Sequence, residues 1–238
     1  MKTWTTPEGA YNQLFDNMTQ ENHLLIAGAT GSGKSVVLNG IIARLLYNAP
    51  PENKIILIDP KRVELSIYKE IPHCIGYASE PEAISILLEH CIEEMERRYK
   101  EMEAHRKRKY EKGHVYIIID EYADLVLTSK KETENKIQRI AQLGRAANIH
   151  IILATQCVLA EVINTKIKCN FPARIALKTS NAQDSRNIID RSGAELLPKY
   201  GQCIYHNPID GDLIYNVPMV PDEEINRLID FWMKQKET

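Results

Sequence analysis

The chain has 238 residues, 44% of them hydrophobic and 26% charged, enough for one large soluble core or a core with a small appendage. Its formal net charge of −2 excludes an overall basic balance, so any contact with nucleic acid has to come from a local patch. Five cysteines, Cys74, Cys91, Cys157, Cys169 and Cys203, form neither a C-x-x-C pair nor a zinc spacing, and they read as inert thiols in a reducing compartment.

Residues 1–22 are polar and read as a short N-terminal segment, with a helical candidate at Glu8–Phe15. There is no apolar leader, and no apolar run approaches the roughly 18 residues of a membrane span. The expectation is a cytoplasmic chain without a membrane span, with residues 23–238 forming one domain.

The apolar run His23–Ala27 leads into Gly28-Ala29-Thr30-Gly31-Ser32-Gly33-Lys34-Ser35. This stretch fits G-x-x-x-x-G-K-[ST] at every defined position. A helix-like run from Ser35 to Leu46 follows, stopped by Asn48-Ala49-Pro50-Pro51. Glycines let successive N–H groups line one concavity, and the helix start behind them adds partial positive charge. Gly28, Ala29, Thr30, Gly31, Ser32 and Gly33 would cradle phosphates. Lys34 would reach the β- and γ-phosphates, and Ser35 would place its hydroxyl on Mg²⁺.

Lys54–Asp59 is an apolar run ending in an acid, which reads as a buried parallel strand stopped by Pro60. Asp59-Pro60-Lys61 then lies at the carboxyl end of the sheet, on the P-loop side. Cys74–Tyr77 is a further short strand candidate. Apolar residues at helical spacing predict one long helix over Pro81–Lys112, whose end carries Arg106-Lys107-Arg108-Lys109. That basic end is either a solvated face or a contact for DNA phosphates or a neighbouring subunit. Val115–Asp120, Ile149–Ala154 and Phe171–Leu177 read as strands, with a helix over Thr133–Ala147 and a short one over Ala182–Asp190. Gln202–Tyr205 and Asp212–Val217 read as a hairpin, followed by a final helix over Asp222–Lys234. The alternation predicts an α/β fold with a largely parallel sheet covered by helices on both faces.

Ile117-Ile118-Ile119-Asp120-Glu121 is an independent signal. An acid ending a buried strand can hold the Mg²⁺ shell, as a Walker B aspartate does, which assigns Asp120. The next carboxylate can polarise the attacking water, which assigns Glu121 as general base. Asn164-Thr165-Lys166-Ile167-Lys168 does not supply the Asn-Lys-x-Asp motif of GTPases, so ATP is favoured. In Ala154-Thr155-Gln156 either polar residue could sense the γ-phosphate, with Gln156 preferred. Arg145, at the end of the preceding helix, could complete a neighbouring subunit's site as an arginine finger, or be a surface charge near a helix end.

Several blocks coincide in one order. They are the P-loop, Asp59-Pro60-Lys61 followed by Glu64-Leu65-Ser66, Arg97-Arg98-Tyr99, Asp120-Glu121-Tyr122-Ala123-Asp124-Leu125, Arg145-Ala146-Ala147, Leu153-Ala154-Thr155-Gln156, Asp184-Ser185-Arg186 and Gly193-Ala194-Glu195-Leu196-Leu197. From about residue 22 onward the chain resembles the motor core of FtsK/SpoIIIE-type DNA translocases. The resemblance implies a RecA-like P-loop NTPase core that uses ATP and Mg²⁺ and assembles as a hexameric homo-oligomeric ring around double-stranded DNA. It also implies sites shared between subunits, which favours Arg145 as a trans-acting finger, and motor contacts made mostly to phosphate. Family members usually carry an α domain before the P-loop, and many add membrane helices and a C-terminal winged-helix domain. The pattern here is that of an excised motor core or a short relative from a mobile element. Thr155-Gln156-Cys157-Val158 departs from the family's usual Thr-Gln-Arg-Pro, with Cys157 in the arginine's place. Two other readings share these motifs: a conjugation-coupling or protein-secretion ATPase with the same core, and a nucleotide-dependent assembly module that is not a motor.

Overall fold

The computed structural model describes residues 21–47, 52–128, 131–209 and 211–236. The expected helix at Glu8–Phe15 and the stop at Asn48–Pro51 lie outside them. The elements in chain order begin with β1 (His23–Ala27), α1 (Lys34–Leu46), β2 (Lys54–Ile58), β3 (Cys74–Ala78) and α2 (Pro81–Ala104). There follow β4 (Val115–Ile119), α3 (Tyr122–Thr128), α4 (Lys131–Leu143), β5 (Ile149–Thr155), α5 (Thr165–Asn170) and β6 (Ala173–Ala176). The chain continues through α6 (Ala182–Ile189), β7 (Gln202–Asn207), β8 (Gly211–Asn216) and α7 (Asp222–Lys236), with short 3-10 turns at Ser66–Tyr68 and Ala194–Leu196.

The strands form one eight-stranded sheet in the order β3-β2-β4-β5-β1-β6-β7-β8. β1 to β6 pair in parallel, and the β7–β8 hairpin adds an antiparallel edge. The central strands β1, β4, β5 and β6 are buried at every position because both faces are covered. Along β1, Leu25 and Ala27 join one core while Leu24 and Ile26 join the other. β4 splits the same way, Val115, Ile117 and Ile119 against Tyr116 and Ile118, as the two-residue strand period requires. The first core packs under α2, α3, α4, α5 and α6, and the second under α1 and α7.

Two expectations change. The helix predicted to Lys112 ends at Ala104. His105 is its C-cap and Arg106 follows at φ 54°. Arg106 N donates to Glu103 O (3.1 Å) and Lys107 N to Met102 O (2.8 Å), the pairing of a Schellman stop. The loop then folds back because Tyr110 is buried: the Arg98 guanidinium lies 4.5 Å over its ring, and its amide donates to Ala146 O (2.8 Å). The basic run Arg106–Lys109 therefore lies, exposed, in the loop that follows α2 and not on its last turns. Between β4 and β5 the chain forms two helices, where one was expected from Thr133, and α5 was not anticipated at all.

Candidate functional site

Parallel pairing brings four strand ends to one edge. Ala27 is opposite Thr155, Ile119 opposite Leu153, and Ile58 opposite Ile119. The residues that follow, Gly28, Asp59, Asp120 and Gln156, therefore emerge together at the carboxyl edge of the sheet. This is the crevice where open α/β sheets bind ligands.

The glycine loop is shaped for close approach. Gly31 and Gly33 have φ of 72° and 102°, and a Cβ at either would meet no atom within 4 Å. The two positions combine left-handed backbone with open space, as a phosphate cradle needs. At Gly28 the constraint is packing, since a Cβ there would lie 2.7 Å from Leu177 Cβ. Gly33 is the N-cap of α1 and provides no side-chain cap, which leaves first-turn amides for an anion. The buried Ser32 hydroxyl has no hydrogen-bond partner among the described residues. Ala29 N donates to Lys178 O at 2.9 Å and anchors the loop to the chain after β6. These features fit a nucleotide's phosphates.

Lys34, buried, donates to the Asp120 carboxylate and to Asp120 O (2.6 Å). Burial, with the nearby anions Asp59 and Glu64, pushes the Asp120 carboxyl above the usual carboxylate range, and the Lys34 ammonium offsets part of that. The Ser35 hydroxyl donates to Glu64 Oε1 at 2.5 Å. Asp59 is fully buried; its Oδ2 accepts from Leu65 N (3.0 Å), and its Oδ1 has no partner among the described residues. Ser35 and Asp120 supply hard oxygen donors of the kind Mg²⁺ takes. Among the described residues no group of three or more His, Cys, Asp or Glu is arranged to hold a metal ion alone.

Glu121 is buried beside Asp120. Thr155 Oγ1 donates to its Oε1 (2.6 Å), and Gln156 N reaches Oε1 (3.0 Å) and Oε2 (3.2 Å). Lys61 Nζ lies 3.4 Å from Oε2. Thr30 Oγ1 donates to Gln156 Oε1 at 2.9 Å. Gln156 thus touches the P-loop with its side chain and Glu121 with its backbone, while Thr155 touches Glu121 directly.

Arg145 is not part of this cluster. It is exposed in the turn between α4 and β5, at the amino-terminal edge of the sheet. β5 separates that edge from Gln156, a rise of about 20 Å at roughly 3.3 Å per residue. A cleft of about 480 Å³ there is lined by Tyr99, Arg108, Lys109, Gln142 and Arg145 among others.

Sequence reasoning assigned no role to Glu64 or Lys61. Both follow Pro60 in a stretch without periodicity; the only available signal was their density of charge beside a strand end already expected at the P-loop.

The FtsK/SpoIIIE family model matches residues 11–117 and 109–159, more than half of the chain. The DNA translocase FtsK of Helicobacter pylori (strain J99) is 38% identical over 242 residues, covering 95% of this chain and 29% of that protein. The DNA translocase FtsK of Staphylococcus aureus (strain Mu50) is 40% identical over 237 residues, covering 90% and 30%. The chain spans about three tenths of the length of these curated relatives. Among solved structures, the pCW3 conjugation coupling protein TcpA with ATPγS superposes with a TM-score of 0.79 at 23% identity, over 90% of this chain and 66% of that one. The cytoplasmic domain of the Thermomonospora curvata type VII secretion ATPase EccC gives 0.73 at 21% identity, over 87% and 28%. These likenesses place the fold among the P-loop ATPases, and among the described residues no helix is long and apolar enough to cross a membrane. The sheet, the glycine loop with its converging acids and the family match lead to one conclusion: the chain belongs to the FtsK/SpoIIIE family.

Proposed function

We propose that residues 23–238 act as one motor domain that hydrolyses ATP and, as a homo-oligomeric ring, translocates double-stranded DNA. The observation that carries this reading is the meeting, at one sheet edge, of a P-loop lysine with Asp120 and of Glu121 with Thr155 and Gln156.

Bound ATP with Mg²⁺ supplies the phosphoryl group and the charge neutralisation its transfer requires. The loop from Gly28 to Gly33 binds the phosphates through backbone amides, and Lys34 exchanges its Asp120 contact for phosphate oxygen. Ser35 and Asp120 would hold Mg²⁺ on its side of the site. Glu121 accepts the proton of the attacking water. Gln156, already in contact with Thr30, senses the γ-phosphate.

Arg145 lies at the far edge of the sheet from its own P-loop, so the catalytic role we assign it is in a neighbouring subunit's site. An interface that joins the carboxyl edge of one copy to the amino-terminal edge of the next is heterologous, and it closes into a ring when the rotation allows. A hexamer is the arrangement the family implies. The DNA partner is supported by the relatives, which are DNA translocases by name. The deciding experiment is ATPase rate against duplex DNA concentration at low salt, with particle size measured in parallel. Stimulation in the ring fraction is the expected result; no stimulation of an assembled ring overturns the DNA motor reading.

A further inference from the structure

Three donors hold the Glu121 carboxylate: the Thr155 hydroxyl, the Gln156 amide and the Lys61 ammonium. A carboxylate offers about four lone-pair directions. Both on Oε1 are engaged, by the Thr155 hydroxyl and the Gln156 amide. Oε2 accepts the Lys61 ammonium and shares the Gln156 amide. Lys61 is the donor that Oε2 does not share with Oε1, so it competes with an attacking water for that oxygen.

The three donors differ in how readily they leave. Thr155 is fully buried in the last position of β5, and its hydroxyl also takes a hydrogen bond from Cys157 N (3.1 Å). The Gln156 amide is backbone, fixed by the strand before it. Lys61 has the longest contact of the three, and its side chain is 44% exposed. A second anion, Asp124, lies within its reach at 3.8 Å. An ion pair with one water-exposed, flexible partner is weak and easily exchanged. Lys61 therefore has the mobility to uncover Oε2, and it can do so without breaking the sheet.

We propose that Lys61 is a latch on the general base: a positioning residue that occupies Glu121 in the resting site and must swing away before hydrolysis. The inference rests on Glu121 being the base. The chemistry that draws Lys61 off is a polyanion, because the contact to be exchanged is an ammonium on a carboxylate. The proposed function provides two polyanions, the phosphates of ATP, present in both arms of the test below, and the backbone of duplex DNA, and we assign the release to the second. The latch then makes hydrolysis depend on the track: without DNA the base stays engaged, and with DNA it is released.

The test compares Lys61→Met, Lys61→Arg and Glu121→Gln in the assembled protein, with steady-state ATPase measured with and without duplex DNA and ATPγS affinity measured by calorimetry. The expected result for Lys61→Met is a DNA-free kcat raised about threefold or more, with KM and ATPγS affinity within about twofold of the parent. The ratio of DNA-stimulated to DNA-free rate falls correspondingly, and Lys61→Arg restores both. A DNA-free kcat that is unchanged or lowered in Lys61→Met overturns the latch. Glu121→Gln separates the two levels. If it still turns over, Glu121 is not the base and the underlying reading fails; if it is inactive while Lys61→Met leaves the DNA-free rate unraised, the latch alone fails.

Discussion

Acid should loosen the edge of the molecule that carries Arg145, through two histidines buried without charge. His150 on β5 and His23 on β1 are both buried, and burial lowers them from 6.5 to about 3 and about 4 respectively. His150 Nδ1 faces Asn22 O at 3.2 Å, and its Nε2 faces His114 Nδ1 at 2.8 Å. The arrangement is satisfied when His150 is neutral, donating at Nδ1 and accepting at Nε2. A neutral folded histidine and a protonated unfolded one mean that the unfolded state binds more protons below pH 6.5. Stability from these groups is therefore fully present above 6.5 and is lost as pH falls toward 4 and 3. At about pH 5.5, one unit below the ordinary value, each histidine costs about 1.4 kcal/mol, or about 2.8 kcal/mol together. Urea denaturation at about pH 7.5 and 5.5 measures this, with His150→Phe as the comparison because the ring stacks on Tyr116 (4.9 Å between centroids). The parent should lose about 2.8 kcal/mol and the variant about half of that. Equal losses in the two proteins would refute the reasoning. The effect reaches the Arg145 turn because His23 Cε1 lies 3.4 Å from where a Cβ on Gly144 would be.

Lys34→Ala should abolish measurable ATP binding by calorimetry, because it removes the phosphate contact and leaves Asp120 buried without its cation; ordinary affinity would remove Lys34 from the site. Arg145→Ala subunits mixed with parent should lower the ATPase rate of the mixed rings below the value set by the parent fraction, and a strictly proportional rate would rule out a trans role. Cys157→Arg should strengthen duplex binding and steepen the plot of log affinity against log salt by about 0.9, the increment for one added phosphate contact. An unchanged slope would show that position 157 does not face the track.

The sheet was legible because its strands are buried on both faces. Ile117-Ile118-Ile119 and Ile149–Ala154 announce themselves without tertiary information, and the polar residues that end them, Asp120 and Thr155-Gln156, follow from the same pattern. The P-loop was legible because backbone geometry dictates glycine at fixed spacing. The stop of α2 was not legible. Nothing in Arg106–Lys109 opposes a helix locally, and the turn is imposed by contacts distant in sequence, Tyr110 with Arg98, Ala146 and Asn148. Glu64 and Lys61 were named within motifs but had no assigned partner, because the loop after β2 has no period from which to read a direction. Arg145 was left between two roles, a finger for a neighbouring site and a surface charge, and its exposed place at the far edge from its own P-loop is compatible with both.

One buried arginine gives α2 a mechanical character. Arg98 Nη1 donates to Gly113 O (3.0 Å), Ala147 O (2.8 Å) and Asn148 O (3.3 Å), and Tyr99 Oη donates to Leu143 O (2.7 Å). The turn bearing Arg145 is thereby bolted to the final turns of α2. The other end of that helix begins beside the mouth of the nucleotide site, where Glu80 pairs with Arg62 from the loop that also bears Lys61 and Glu64. The 24 residues of the helix form a rod about 36 Å long, so a tilt of one degree at the mouth moves the far end by about 0.6 Å. In the proposed ring, that rod would run from one subunit's own fuel site to the arginine assigned to the next, a rigid linkage between neighbouring chambers.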